Sequence, residues 1–416
     1  MKKKLAIVVQ RYGLEVNGGA EYHARVLAEE LSRNYAVEIL TTTALDYHIW
    51  ENHFPEGETQ VNGISVHRFP TTNLRSRKFR VGRRAVFKEK KYFKLLKNIG
   101  LYNYFDRRFN ISKPKQEEID NWIVGQGPYC PDLLTYISEH GDDFDVFVFF
   151  TYLYYPTVKG MPLVADKSIF IPTAHHEPPL FTDAFKNLFE VPKFIMYNTD
   201  SEKRLVEGFF NRYTVNNDIA GVGIRRYTGT PHDIPSTLIK KKYFIYIGRI
   251  DKGKACDELL TYYIKFQEEN PEYRDVKMVL VGKDYLNQRF DHPSIMYTGF
   301  VSEELKYALL KNSLAMIMPS YFESLSMVTL EAMIEEIPVI VNEHCEVLHE
   351  HILKSETGCS YDSYKGFCAA LVTYLKKSVV QLQEEGIGAR HYVQQNYSWA
   401  NVLTKFDQAV DFIVNK

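Results

Sequence analysis

The residues best suited to chemistry lie in a short segment between a predicted strand and a predicted helix, residues 248–255. Gly248 lets the backbone turn tightly after the strand, and Arg249 and Lys254 follow it. A guanidinium offers a planar fork of donors and an ammonium a compact charge, both close to the N-terminus of a helix. That combination suits a diphosphate. The alternative interpretation is a capped surface turn with solvated basic residues.

A second segment, residues 319–333, carries two carboxylates eight positions apart. Glu323 follows a predicted buried strand, and Glu331 lies in the helix after it. A loop carboxylate can accept hydrogen bonds from sugar hydroxyls, and one farther along the helix can reach ribose hydroxyls. The alternative is a pair of solvent-facing carboxylates. Backbone amides of the intervening loop can face an anion, and the residues concerned are Ser324, Leu325 and Ser326.

Taken in order, these two segments resemble the retaining family-4 glycosyltransferases, which have two Rossmann-like domains. The family pattern is a Gly-Arg loop with a following Lys and, later, two glutamates eight positions apart. Arg249, Lys254, Glu323 and Glu331 match it. The resemblance implies a nucleoside-diphosphate sugar as donor substrate, no further cofactor, no metal, and transfer with retention of anomeric configuration.

The resemblance extends to two more groups of residues. Gly282 matches the strand end that lines the pocket for the donor base, and the backbone near Phe300 and Val301 is expected to meet that base. In the N-terminal half, Gly18 and Gly19 are similar to the glycine loop that closes over the donor diphosphate. The likeness covers most of the chain except roughly residues 75–140.

A histidine after an N-terminal strand completes the predicted site. The resemblance implies that His175, or alternatively His176, hydrogen-bonds the donor sugar near the reacting carbon. Without the family, these two histidines and Glu177 suggest a structural role or a metal site. Neighbours in an extended segment point to opposite faces, which disfavours a joint metal site.

In the mechanism that follows from the resemblance, Arg249 and Lys254 stabilise charge on the leaving diphosphate. Glu323 and His175 fix the hexose, and Glu331 fixes the ribose. No side chain is predicted as a general base, so the leaving phosphate takes the acceptor proton.

The sequence departs from the family pattern at three places. Ala255 and two loop serines, Ser324 and Ser326, stand where glycine is common, and residues 342–346 replace a Gly-Gly pair. The backbone therefore has less room to approach phosphate, and the contacts to the donor sugar stay open.

The elements around these residues alternate between strand and helix in two series, which predicts two Rossmann-like, doubly wound parallel sheets facing across a cleft, the GT-B arrangement. A chain of 416 residues also exceeds one hydrophobic core. We expect an N-terminal, acceptor-side domain over residues 1–215 with a helical insertion at about 75–140. A returning helix at 397–416 joins it, and residues 216–396 form the nucleotide-sugar domain.

Composition excludes several classes of protein. The net charge of −1 gives no overall attraction to nucleic acid, and the five cysteines include no C-x-x-C pair, which disfavours a disulfide framework or a zinc site. No apolar run reaches the length of a membrane span, and residues 5–9 are too short for a signal core. We therefore expect a cytoplasmic protein, with a peripheral position at the inner face of the cell membrane as a further hypothesis.

Residues 75–97 contain eleven Lys or Arg and one acid, Glu89. They form either a solvated helix face or a surface for an anionic membrane or an acidic acceptor. The second interpretation depends on interleaved apolar residues, namely Phe79, Val81, Phe87, Tyr92, Phe93, Leu95 and Leu96. The predicted function is hexosyl transfer to a glycan or lipid-linked glycan, in bacterial surface polysaccharide synthesis. The alternatives are a non-catalytic binding partner with the same fold and a dinucleotide-dependent oxidoreductase. The second lacks its expected G-x-G-x-x-G turn.

Overall fold

The computed structural model describes residues 2–16, 18–47, 49–72, 77–109, 113–210, 215–230, 232–286 and 288–415. The chain divides into two compact units. Unit 1 comprises Met1–Gly221 and Leu403–Lys416, and unit 2 comprises Val222–Val402. All five cysteines are free.

Unit 1 is built on one sheet whose central strands are almost completely buried, as is typical of parallel sheets covered by helices. The strands are β1 (Lys4–Val8), β2 (Ala36–Thr42), β3 (Gly57–Val61), β4 (Ile64–Phe69), β5 (Val146–Phe150), β6 (Ser168–Ile171), β7 (Phe194–Tyr197) and β8 (Asn216–Ile219). Their order is β3-β4-β2-β1-β5-β6-β7-β8. Every neighbouring pair is parallel except the edge pair of β3 and β4, which is antiparallel.

The helices of unit 1 include five, α2 to α6, that begin between residues 77 and 131, in the region predicted as a helical insertion. They are α1 (Gly19–Leu31), α2 (Arg77–Val86), α3 (Lys91–Asn98), α4 (Tyr102–Phe109), α5 (Gln116–Gln126), α6 (Pro131–His140), α7 (Tyr155–Gly160) and α8 (Asp200–Phe210). Helix α2 packs closely on α5 at Gly82, where an added Cβ would lie 2.4 Å from the carbonyl oxygen of Glu118. Phe79 of α2 is buried against α5.

Unit 2 contains a second, wholly parallel sheet, in agreement with the second predicted series. Its strands are β9 (Tyr243–Ile247), β10 (Lys277–Val281), β11 (Ile295–Gly299), β12 (Met316–Met318), β13 (Val339–Asn342) and β14 (Cys359–Tyr361). The order is β11-β10-β9-β12-β13-β14. The direction of strand addition reverses between β9 and β12, and ligands of such sheets bind at the carboxyl ends of the strands at this point.

The helices that follow these strands are α9 (Cys256–Glu269), α10 (Glu303–Lys311), α11 (Met327–Ile334), α12 (Glu346–Ser355), α13 (Tyr364–Lys376), α14 (Val379–Asn396) and α15 (Trp399–Val414). Helix α15 begins in unit 2, and its residues from Leu403 onward belong to unit 1. In the described part of the chain, no helix has both the length and the apolar composition needed to cross a bilayer.

Candidate active site

Two glycines at strand ends bring backbone segments of unit 2 into direct contact. Gly248 and Gly282 follow β9 and β10 with φ angles of +150° and +141°. A Cβ at Gly282 would lie 1.9 Å from the carbonyl oxygen of Gly248, so no side chain fits there. The absence of a side chain at Gly282 therefore allows the two loops to lie in direct contact at the carboxyl edge of the sheet.

The loop after β9 forms a capped turn that presents Lys254. The Asp251 carboxylate accepts a hydrogen bond from the Lys254 backbone N–H at 2.8 Å and lies 3.7 Å from the Arg249 guanidinium. Ala255 adopts a left-handed conformation with a φ of 54°. This position favours glycine, and alanine there costs about 1 kcal/mol. The departure from the family pattern thus keeps the backbone geometry at a modest energetic cost.

The side chains of Lys254 and Glu323 meet although they are far apart in sequence. Lys254 Nζ lies 2.5 Å from Glu323 Oε1, and both side chains are largely shielded from solvent. Glu323 lies in the loop after β12, the neighbour of β9 at the reversal in strand order. The structure therefore brings together two of the predicted site residues.

Glu331 faces a cation that sequence reasoning missed. Glu331 is buried in α11, and its Oε2 lies 3.3 Å from Lys306 Nζ. Lys306, in α10, also pairs with Glu303 at 2.8 Å. Burial raises the pKa of Glu331, and the nearby Lys306 partly opposes that shift. The spacing of the predicted residues along the sequence does not identify Lys306, because it belongs to a different helix from Glu331.

The loop of Ser324, Leu325 and Ser326 is fixed by a second unpredicted residue. Ser326 takes a left-handed conformation with a φ of 62°, and its hydroxyl lies 2.8 Å from Thr329 Oγ1. His351, buried in α12, contacts the carbonyl oxygen of Leu325 through Nε2 at 2.8 Å. The other ring nitrogen lies 3.0 Å from the hydroxyl of Tyr392. This network orients the backbone that leads into α11.

The remaining predicted residues of unit 2 follow the neighbouring strands β10 and β11. Phe300 is 75% exposed after β11, with Val301 beside it partly buried. The strand end itself is tied to Gly282, whose N–H donates to the carbonyl oxygen of Gly299 at 2.9 Å. In the segment that replaces a Gly-Gly pair, Asn342 donates to the carbonyl oxygen of Pro319 at 3.0 Å.

In unit 1, the glycine loop precedes α1. Gly18 accepts the first helical hydrogen bond from the Tyr22 N–H, and α1 begins at Gly19. A Cβ at Gly18 would lie 2.1 Å from Glu21 Oε2. The Glu21 carboxylate forms a buried ion pair with Arg11 at 2.5 Å. Glycine is therefore required at position 18 to accommodate this pair.

His175 lies in the loop after β6 and is partly exposed. Its Nε2 is 3.5 Å from Glu177 Oε2, and the other oxygen of Glu177 accepts a hydrogen bond from the Tyr152 hydroxyl at 2.6 Å. The adjacent His176 instead packs against the ring of Phe181. The two histidines thus have different neighbours, and among the described residues no group of three or more His, Cys, Asp and Glu could hold a metal ion.

A buried glutamate of α8 holds the His175 loop in place. Glu202 accepts hydrogen bonds from the backbone N–H groups of Ala174 at 2.5 Å and Asn198 at 2.6 Å. Burial raises the pKa of Glu202 to about 8, although these two hydrogen bonds oppose the shift. Sequence reasoning did not identify Glu202, because nothing near it in the chain marks it.

Comparison with known proteins gives a family match for most of unit 2. Residues 232–385 match the family model described as glycosyl transferases group 1. No curated protein sequence matches the chain.

Three solved structures are similar over nearly their whole length. Sucrose-phosphate synthase from Thermosynechococcus elongatus has a TM-score of 0.67 at 14% identity, covering 98% of each chain. An alpha,alpha-trehalose-phosphate synthase (UDP-forming) from Burkholderia vietnamiensis has a TM-score of 0.66 at 11% identity, and the match covers 98% of this chain and 99% of that one. WaaG, a glycosyltransferase involved in lipopolysaccharide biosynthesis, has a TM-score of 0.60 at 14% identity, and the match covers 99% of this chain and 100% of that one. The fold class is that of GT-B structures. This confirms the prediction of two α/β parallel-sheet domains.

Proposed function

We propose that this chain is a glycosyltransferase that binds a nucleoside-diphosphate sugar in unit 2 and transfers its hexosyl group to a glycan acceptor. The observation that carries the proposal is the contact of Lys254 with Glu323 at the reversal in strand order of the second sheet. A cation for the diphosphate and a carboxylate for the sugar are adjacent there. The family match over residues 232–385 supports the same interpretation.

Each site residue has a proposed role. Arg249 and Lys254 stabilise the negative charge that develops on the leaving diphosphate, because fixed cations need no reorganisation during the reaction. Glu323 and His175 accept or donate hydrogen bonds to the hexose. Glu331 binds the ribose, with Lys306 keeping this buried carboxylate ionised.

We further propose retention of anomeric configuration without a metal ion. The bond between the anomeric carbon and the diphosphate oxygen breaks, and the acceptor oxygen bonds to that carbon on the same face. The acceptor proton passes to an oxygen of the leaving phosphate. In this scheme the two cations of the loop after β9 supply the charge stabilisation.

The experiment is a donor screen that measures release of nucleoside diphosphate, with and without candidate acceptors. Lys254→Ala and Glu331→Ala should each lower turnover at least about tenfold, the loss of one charge-assisted interaction. Lys252→Ala is the matched control, because Lys252 is exposed in the same turn. Normal turnover in both site variants would contradict the assignment. Absence of release with every donor would favour the alternative, a binding partner without catalysis.

For the acceptor, we propose a lipid-linked glycan used in bacterial surface polysaccharide synthesis, with the enzyme docked on an anionic membrane. Support comes from the hairpin of α3 and α4, in which Phe93 is the one buried side chain among the described residues 91–109. This hairpin has five basic residues and one acid. Large apolar side chains are exposed between the charges, namely Tyr92, Leu95, Ile99, Leu101, Tyr104 and Phe109.

The hairpin differs from the surface predicted from residues 75–97. Arg75 lies outside the described residues, and Phe79 and Phe93 are buried, so these aromatic residues are not available to a membrane. Val81, Tyr92 and Leu95 of the predicted range are exposed, and exposed apolar side chains continue beyond it as far as Phe109. Exposed apolar side chains among lysines match the interfacial region of an anionic bilayer.

Vesicle sedimentation tests the membrane proposal. We expect the protein to bind vesicles of phosphatidylcholine with phosphatidylglycerol, to bind phosphatidylcholine alone weakly, and to lose binding at high salt. Replacing Leu95 and Ile99 together by Ser should abolish binding. The matched control replaces Val379 and Val380, which are equally exposed on unit 2. Equal binding by both double variants would contradict the proposal.

A further inference from the structure

We infer that unit 1 contains a binding site for an oxyanion, formed by Arg68, Tyr12 and Thr41. Each of the three side chains is at least nine-tenths buried. Each also presents a polar atom that has no hydrogen-bond partner among the described residues. These atoms are Arg68 Nη1, the hydroxyl oxygen of Tyr12 and Thr41 Oγ1.

The three residues lie at the carboxyl ends of three adjacent strands, β4, β2 and β1. Thr41 and Arg68 are register partners in the parallel pair of β2 and β4. Successive side chains alternate between the faces of a sheet. Because Leu40 and Phe69 pack in the hydrophobic cluster on one face, Thr41 and Arg68 both point to the other.

Tyr12 is part of the same candidate site, because it lies in the loop after β1, and this loop approaches the Arg68 guanidinium. A Cβ at the adjacent Gly13 would be 3.8 Å from Arg68 Nη2. Burial raises the pKa of the Tyr12 hydroxyl, and the positive charge of Arg68 partly opposes that shift. Arg25 and Glu29 of α1 face Tyr12 as well, and Glu29 is hydrogen-bonded by Asn62 at 2.7 Å.

Arg68 contrasts with the other buried arginine of this region. Arg11 is equally buried, but Glu21 neutralises it at 2.5 Å and the carbonyl oxygen of Leu45 accepts from it at 2.7 Å. Arg68 packs on the ring of Phe54 at 4.2 Å, and no ion pair with a described residue involves it. Burial lowers the pKa of Arg68, and the charge of Glu15 opposes that shift only in part and from beyond ion-pair distance. A buried guanidinium without a paired anion is unfavourable, so a ligand that pairs with Arg68 would be stabilised.

The chemistry of the three groups identifies the ligand as a phosphate or a carboxylate. A guanidinium fork and two hydroxyls can donate to several oxygens of one anion, and charge-assisted hydrogen bonds of this kind are strong. The loop that covers Arg68 exposes Leu14 and Glu15 to solvent. Displacement of this loop would give access. That the oxyanion belongs to the acceptor rests on the proposed glycosyl transfer, whereas the anion site itself does not.

Calorimetric titration of the full chain tests the site. The titration uses a Lys254→Ala background, so that anions do not report on unit 2. The probes are inorganic phosphate, glycerol phosphate and glucuronate, with glycerol and glucose as neutral controls. We expect Arg68→Met to weaken binding of the preferred anion at least about tenfold. The phosphate and glucuronate arms identify which oxyanion the site takes.

A stability measurement separates a ligand site from a structural role. Without added anion, Arg68→Met should melt at the same or a higher temperature than the unsubstituted chain, because it removes a buried charge that forms no ion pair with a described residue. Arg11→Met is the control and should melt lower, because it leaves Glu21 buried without its cation.

Anion binding that is unchanged by Arg68→Met, or equal binding of glucose, would overturn the inference. So would a melting temperature of Arg68→Met lowered as far as that of Arg11→Met. If anion binding depends on Arg68 while no nucleotide sugar binds unit 2, the proposed glycosyl transfer fails and the anion site stands.

Discussion

Replacing Glu202 by Gln tests how unit 1 holds the loop that carries His175. Glu202 is 1% exposed, and its two carboxylate oxygens accept from the N–H groups of Ala174 and Asn198. An amide has one acceptor oxygen, so Gln must turn an NH2 group toward one of the two backbone donors. The variant therefore loses one of the hydrogen bonds that join the loops after β6 and β7.

The pH dependence of this effect follows from the pKa of Glu202, which burial raises from 4.5 to about 8 in the folded protein. The folded state therefore holds the proton more tightly than the unfolded state. The stabilisation from the protonated carboxyl is fully present below 4.5 and is lost as pH rises through 8. At 1.36 kcal/mol for each pKa unit, the loss is at most about 5 kcal/mol.

Urea unfolding of both proteins between pH 5 and pH 8 measures the difference. We expect the unfolding free energy of the unsubstituted chain, relative to Glu202→Gln, to fall by a few kcal/mol as pH rises. Burial lowers the pKa of His23 to about 3 and also lowers that of His351, so these groups reduce stability as pH falls below 6.5. Both proteins contain them, so they cancel in the difference. Parallel pH profiles for the two proteins would refute the reasoning.

Two further predictions concern unit 2. Gly282→Ala should destabilise unit 2 by at least about 2 kcal/mol and weaken nucleotide binding, because its Cβ would overlap the carbonyl oxygen of Gly248; thermal unfolding with and without nucleotide checks both effects. Lys306→Met should cost about 3 kcal/mol of unfolding free energy, because it leaves Glu331 buried without a cation. Glu303→Gln removes only the exposed partner of Lys306 and should cost less than about 1 kcal/mol in the same urea titration.

The sequence can predict that the candidate site residues of unit 2 lie near one another, because they follow strands. Strands of apolar residues followed by loops and amphipathic helices dictate a parallel sheet, and parallel strands end at one edge. The contact between Lys254 and Glu323 follows from that geometry once β9 and β12 are neighbours. No local pattern specifies that adjacency.

Other features depend on packing between distant segments, which no local pattern reports. Strand β8 has a polar sequence that does not indicate a strand, yet it pairs with β7. The basic helices look alike in sequence, but α2 buries Phe79 against α5 whereas Leu95 of α3 is exposed. Lys306 and Glu202 act on residues of other elements, so their roles become visible only in the folded chain.

The most direct test of the central claim is a crystal structure of the protein soaked with a nucleotide sugar that supports diphosphate release. We predict the diphosphate within hydrogen-bonding distance of Arg249 and Lys254, and the ribose hydroxyls against Glu331. A donor bound away from the carboxyl ends of β9 and β12, with these side chains directed elsewhere, would contradict the account.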